Sequence, residues 1–169
     1  MCSKIINIDA GIPGDPDINA DWIKRTRRLH DWRAEYKVDV PEGQAGDWAV
    51  ERFVMSEKEA ADARFHDAIR GGRGGIVAGT YTRLVHRGEI VMSDTPDEIS
   101  DHLGFIYAAR GAVLINGLGL GMALNAVARK AEVASVTVVE IDPDVIRLVW
   151  PHYQARFGDK LTLVQGDAY

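Results

Sequence analysis

Apolar positions along this chain fall into short unbroken runs near its end and into mixed, periodic stretches before them. Ala112-Val113-Leu114-Ile115 and Val136-Thr137-Val138-Val139 are too short for helices and scarcely alternate. Both therefore read as strands buried on the two faces of a parallel sheet. Residues 122–130 between them are rich in alanine and leucine and read as a helix. Residues 161–165 supply a third strand. Upstream, residues 76–86 and 89–93 flank Arg87-Gly88, with Thr80, Tyr81 and Thr82 adding β propensity, so a hairpin is predicted. Thr95-Pro96-Asp97-Glu98 opens a helix running to about Arg110, with Gly111 as its stop.

The front of the chain is less regular. Residues 1–16 are punctuated by glycine and proline and read as an extended arm. Trp22, Ile23, Leu29, Trp32 and Tyr36 fall near helical spacing, which predicts a helix over residues 20–38. Residues 41–46 break it. A short strand follows over residues 48–55, with Val50, Phe53 and Val54 as its apolar positions. Ser56-Glu57-Lys58-Glu59 has the form of a capping box and opens a helix to about Ile69. Gly71-Gly72-Arg73-Gly74-Gly75 lacks the Lys-Ser/Thr ending of a phosphate-binding P-loop and is expected to be a linker or flap. The chain thus divides into a mostly helical extension (1–75), a hairpin and helix (76–110) and a unit of three strands (111–169).

Chemistry concentrates in that last unit. Asn116-Gly117-Leu118-Gly119-Leu120-Gly121 turns the chain between the first apolar run and the helix. Without a Cβ, glycine admits positive φ and lets a ligand lie directly on the backbone, while the helix that follows presents free N–H groups. The next strand delivers Glu140 to the sheet's carboxyl edge, where an acid can accept both hydroxyls of a ribose. Asp142-Pro143 suits an N-cap followed by the first helical position, and both are read as structural. Strand, glycine turn, helix and acid-ended strand form the pattern of a nucleotide-binding βαβ unit. The dinucleotide fingerprint is not met, because Met122 stands where its third glycine would fall.

The spacing Gly117-x-Gly119-x-Gly121, with Glu140 and the later Gly166-Asp167-Ala168, resembles the class I methyltransferase fold that binds S-adenosylmethionine. Residues 136–146, reading VTVVEIDPDVI, and Ile115, where many methyltransferases carry an acid, are most similar to its spermidine synthase-like branch. The resemblance implies a Rossmann-like α/β domain. It also implies that Asn116, Gly117, Leu118, Gly119 and Gly121 cradle the methionine and ribose parts of S-adenosylmethionine or its decarboxylated form. Glu140 would hold the ribose hydroxyls, Ile141 would pack on the adenine, and Asp167 would meet the adenine amino group beside Ala168. The hairpin departs from the polyamine synthases. Val91 stands where they carry a ligand-binding glutamine, Asp101 where they carry a tyrosine, and Leu103 replaces the acid after the matching His102. Methyl transfer to an unknown acceptor is therefore expected ahead of aminopropyl transfer. Asp94, Asp101 and His102 lie near the expected mouth of the site, no catalytic residue is assigned, and no metal is expected.

A net charge of −5 over 169 residues argues against general nucleic-acid binding, and Lys24-Arg25-Thr26-Arg27-Arg28 is diluted by Asp21, Asp31 and Glu35. The single cysteine, Cys2, excludes an internal disulfide framework and suits a reducing cytoplasm. No apolar stretch is long enough to span a bilayer, and the first residues lack the charged start and apolar core expected of a signal peptide.

Other readings stay open. A glycine-rich turn can serve strand–helix packing alone, and Asp167 can be an ordinary turn acid. A nicotinamide-dependent oxidoreductase would share the βαβ unit and Glu140, and a non-catalytic binding or assembly module needs no catalytic residue. A sheet stopping at its third strand leaves an apolar edge uncovered. The expectation is a fragment, a partner that completes the sheet, or, with less support, a Trp48 segment folded onto that edge. Self-association into a homo-oligomer follows from the same exposure.

Overall fold

The structure, a computed structural model, describes residues 6–7, 36–69 and 77–168. The helix expected over residues 20–38, the glycine run 71–75 and the basic run 24–28 fall wholly or almost wholly outside them. In chain order the elements are β1 (Ile6–Asn7), β2 (Gly43–Ala45), β3 (Trp48–Met55), α1 (Glu57–Ile69), β4 (Gly79–His86), β5 (Glu89–Ser93), α2 (Pro96–Ala108), β6 (Gly111–Asn116), α3 (Met122–Ala128), β7 (Val133–Glu140), α4 (Pro143–Phe157), a 3-10 turn (Gly158–Lys160) and β8 (Leu161–Gln165). The described residues form a mixed α/β arrangement with two four-stranded sheets. No helix among the described residues is long and apolar enough to cross a membrane.

One sheet has the order β1-β6-β7-β8, with β6, β7 and β8 parallel and β1 antiparallel on the outer edge of β6. The expected extended arm thus contributes a two-residue strand, pairing Ile6 with Leu114 and Asn7 with Val113. Both crossovers advance the strand order in the same direction, so right-handed connections put α3 and α4 on one face. That face is the buried one: Val113, Val136 and Leu161 lie in register, Ile115 lies beside Val138, and all join one apolar cluster with Val145, Val149 and Tyr153. On the other face Ala112, Leu114, Thr137 and Val139 are half-buried and Thr162 and Val164 are exposed. The expected burial on both faces is therefore full on one face and only partial on the other.

The other sheet, β2-β3-β4-β5, is antiparallel throughout and draws its strands from both sides of residue 75. Trp48 and its strand belong here rather than on the edge of the parallel sheet. Arg87 (φ 53°) and Gly88 (φ 84°) both adopt positive φ, the signature of a two-residue type I′ hairpin turn. The ladder shifts between Leu84 and Val85, so Met92 pairs with Leu84, Ile90 with Val85, and Val91 is the extra residue of a β-bulge. Val50 and Leu84 carry the apolar cluster of the parallel half into this sheet.

The capping box forms as expected. The Ser56 backbone N–H donates to Glu59 Oε2 at 2.8 Å and the Glu59 N–H donates to Ser56 Oγ at 3.3 Å. The predicted end of α2 needs correction: Gly111 already lies in β6, and the helix stops at Ala108. Its last carbonyls are taken by an amine instead. Lys130 Nζ donates to the carbonyls of Ile106 (2.8 Å), Tyr107 (3.0 Å) and Ala109 (2.7 Å). A cation also complements the negative end of the helix dipole.

Candidate functional site

Parallel strands end together, so β6, β7 and β8 deliver Asn116, Glu140 and Gln165 to one edge of the sheet. The loops leaving that edge are laced to it: Gly117 N–H donates to the Val139 carbonyl at 2.7 Å and Gly166 N–H to the Glu140 carbonyl at 3.0 Å. Asn116, Gly117, Leu118, Gly119, Gly121, Glu140, Ile141, Asp167 and Ala168 are thereby gathered along one rim.

Glu140 is the centre of this rim. It is 8% exposed, and its two carboxylate oxygens are each held by a backbone donor: Leu118 N–H to Oε2 at 2.7 Å and Asp142 N–H to Oε1 at 2.9 Å. Such charge-assisted bonds fix the acid without exhausting it, because a carboxylate offers about four acceptor positions. Beside it Ile141 is 63% exposed, an apolar surface next to a fixed anion. Asp167 and Ala168 are exposed at the end of β8. Leu118, by contrast, buries its side chain in the core and reaches the rim only through its N–H.

All three glycines of the turn have positive φ: 86° at Gly117, 52° at Gly119 and 71° at Gly121. Two of them are also packing positions. A Cβ on Gly121 would run into the ring of Tyr153, which is fully buried and donates its hydroxyl to the Leu120 carbonyl at 2.9 Å. Burial pushes the Tyr153 pKa far above its ordinary value, so that hydroxyl stays a donor. A Cβ on Gly119 would run into Met92 Sδ, and Leu120 N–H donates to that same sulfur at 3.1 Å. Gly119 and Gly121 thus each have a packing role in the turn.

The antiparallel sheet is fastened over this rim. Trp48 Nε1 donates to Asp142 Oδ2 at 2.7 Å, and its ring stacks on His86 with centroids 4.3 Å apart. Asp142 Oδ1 accepts from Asp144 N at 2.8 Å, so the residue caps α4 as expected. Met92, Trp48 and Tyr153 were missed as site neighbours by sequence reasoning. Met92 and Tyr153 reach the turn at Leu120, and Trp48 reaches the rim at Asp142, through long-range contacts that local spacing does not encode.

Of the residues expected near the mouth, Asp94 is occupied in holding backbone, and so is Glu98 on the same stretch. Asp94 is 1% exposed and accepts from Thr82 N at 2.6 Å and Val38 N at 3.1 Å. Glu98 Oε2 accepts from Ser93 N and Ser93 Oγ at 2.5 and 2.9 Å. Burial raises the pKa of both against the pull of these donors. Asp101 is exposed and His102 half-buried on α2. Neither family models nor curated proteins yield a match to this chain.

Proposed function

We propose that the carboxyl edge of the parallel sheet binds S-adenosylmethionine, or its decarboxylated form, and that the protein takes part in group transfer from it. The observation that carries this reading is Glu140, an anion fixed by two backbone N–H groups at a strand end with acceptor positions to spare. In this reading the ribose diol donates to Glu140, the adenine lies on exposed Ile141, and Asp167 meets its amino group beside Ala168. The Rossmann-like methyltransferase sheet suggested by the glycine spacing is part of the same proposal.

Methyl transfer to an acceptor is the first activity proposed, with aminopropyl transfer as the alternative. The acceptor's lone pair forms the new bond to carbon as the sulfonium–carbon bond breaks, and the electron pair remains on sulfur as a neutral thioether. Holding the two reactants in line supplies much of the rate in such a step. That suits a site beside which Asp94 and Glu98 are engaged by backbone N–H groups. A non-catalytic binding module is the second reading, favoured by the same engagement. The single cysteine suits a reducing, cytoplasmic setting.

Calorimetric titration with S-adenosylmethionine, its decarboxylated form and NAD tests the proposal. A sulfonium ligand is expected to bind, and Glu140→Ala to weaken it by about 1.5 to 3 kcal/mol, roughly ten- to a hundredfold. Binding of NAD alone would move the site to nicotinamide chemistry. Failure of a folded sample to bind any of the three would leave the glycine turn a packing device.

A further inference from the structure

The backbone donors of the glycine turn are unequally engaged. Gly117 N–H goes to the Val139 carbonyl, Leu118 N–H to the Glu140 carboxylate and Gly121 N–H to the Leu118 carbonyl, at 2.7, 2.7 and 2.8 Å. All three acceptors are oxygen. Leu120 N–H alone among these four goes to a thioether, Met92 Sδ at 3.1 Å. Sulfur of this kind is a weak acceptor, so of these four donors Leu120 N–H is the one that can be reassigned at least cost.

Met92 reaches the turn through a specific device. In an unbroken hairpin ladder His86 pairs with Glu89, Val85 with Ile90 and Leu84 with Val91, which would turn Met92 to the opposite face beside Arg83. The bulge at Val91 instead places Met92 opposite Leu84, on the face that meets the glycine turn. One extra residue inverts which side a strand residue faces. The thioether then lies where the Cβ of Gly119 would be, on the surface a ligand would use. Met92 is only half-buried, and its unbranched thioether side chain can adopt other rotamers.

We propose that Met92 is the place-holder of the subsite for the ligand's amino-acid tail, and that its thioether leaves the turn when the tail's carboxylate takes the Leu120 N–H. The inference rests on the turn binding a sulfonium nucleoside. It makes Met92 the residue that distinguishes a carboxylate-bearing tail from a decarboxylated one, since an ammonium tail offers that N–H no acceptor. A carboxylate on a backbone N–H makes a charge-assisted bond stronger than the one to sulfur.

Calorimetry on the wild type, Met92→Ala and Met92→Leu, with S-adenosylmethionine and its decarboxylated form as probes, provides the test. Met92→Ala is expected to tighten S-adenosylmethionine roughly three- to tenfold and to leave the decarboxylated form nearly unchanged. In the wild type, labelled with carbon-13 at the methionine methyls, the Met92 resonance, assigned by its loss in Met92→Leu, should move on saturation with S-adenosylmethionine and stay with the decarboxylated form. This second measurement decides the matter even if Met92→Ala does not fold. Equal or weaker binding by a folded Met92→Ala, or an unmoved resonance, would make Met92 a fixed wall and overturn the proposal while leaving the nucleotide site intact. Absence of binding by wild type and variant alike, with native circular dichroism, would overturn the site and the place-holder together.

Discussion

Replacing Glu140 by glutamine changes almost nothing in shape, yet it should loosen the protein even without ligand. Each carboxylate oxygen accepts one backbone N–H, from Leu118 and from Asp142. Glutamine has one acceptor oxygen and one NH2, so either orientation turns a donor against a donor. One charge-assisted bond becomes a neutral one, costing about 1 kcal/mol, and one N–H, that of buried Leu118 or part-buried Asp142, loses its acceptor, costing about 1 to 3 kcal/mol. The expected total of about 2 to 4 kcal/mol is a large part of the 5 to 15 kcal/mol that stabilises a typical domain. Urea denaturation reads it directly: at a slope of about 2 kcal/mol per molar the midpoint should fall by roughly 1 to 2 M with the slope unchanged. A Glu140→Gln midpoint equal to that of the wild type would refute the claim that this acid holds the turn in place. The measurement also separates the structural part of any Glu140 effect on ligand affinity from the part due to lost ribose contacts.

Other substitutions probe the remaining features. Gly121→Ala must adopt φ near 71° and meet Tyr153, whereas Gly88→Ala, at φ 84°, meets nothing within 4 Å. The first should be the more destabilising by about 1 to 3 kcal/mol in thermal denaturation, and equal losses would show that Tyr153 does not constrain the turn. Lys130→Met strips three carbonyls at the end of α2 of their shared donor and should cost about 1 to 3 kcal/mol, with faster amide exchange in the last turn of that helix; unchanged exchange would count against the cap. Burial raises the Asp94 and Glu98 pKa values above their ordinary 3.8 and 4.5, so just above those values the native state holds more protons than the unfolded chain and stability falls as pH rises. Relative to an Asp94→Asn/Glu98→Gln double variant the wild type should therefore lose stability between pH 4 and pH 7, and parallel curves would contradict the assignment.

Elements with strong local signals were legible in the sequence. The capping box at Ser56, the hairpin around Arg87-Gly88 and the strand–turn–helix leading to Glu140 depend on neighbours a few residues apart, and the structure places them accordingly. Position at the sheet edge was legible for Asn116 to Gly121, Glu140 and Asp167 because parallel strands end together. The difference in burial between the faces was not, since Ala112 and Leu114 are as apolar as Val113 and Ile115 and nothing in the run marks which pair is the more deeply buried. Pairing of β3 with β4 crosses α1, and the end of α2 is set by a lysine far along the chain, so neither has a local signature. Met92 depends on a bulge, and alternation alone would turn it the other way.

The hydrogen bond between Trp48 and Asp142 joins residues 94 positions apart, and it has a bearing on how the chain is made. During synthesis β2 to β5 emerge well before β7, so Trp48, Val50, Leu84 and Met92 present a greasy face before the later part of their apolar cluster exists. Long-range closures of this kind form late and set the pace of folding. The nascent protein is therefore most prone to sticking during the interval between the first hairpin and the arrival of Asp142, when its future roof is complete and its floor is still in the ribosome.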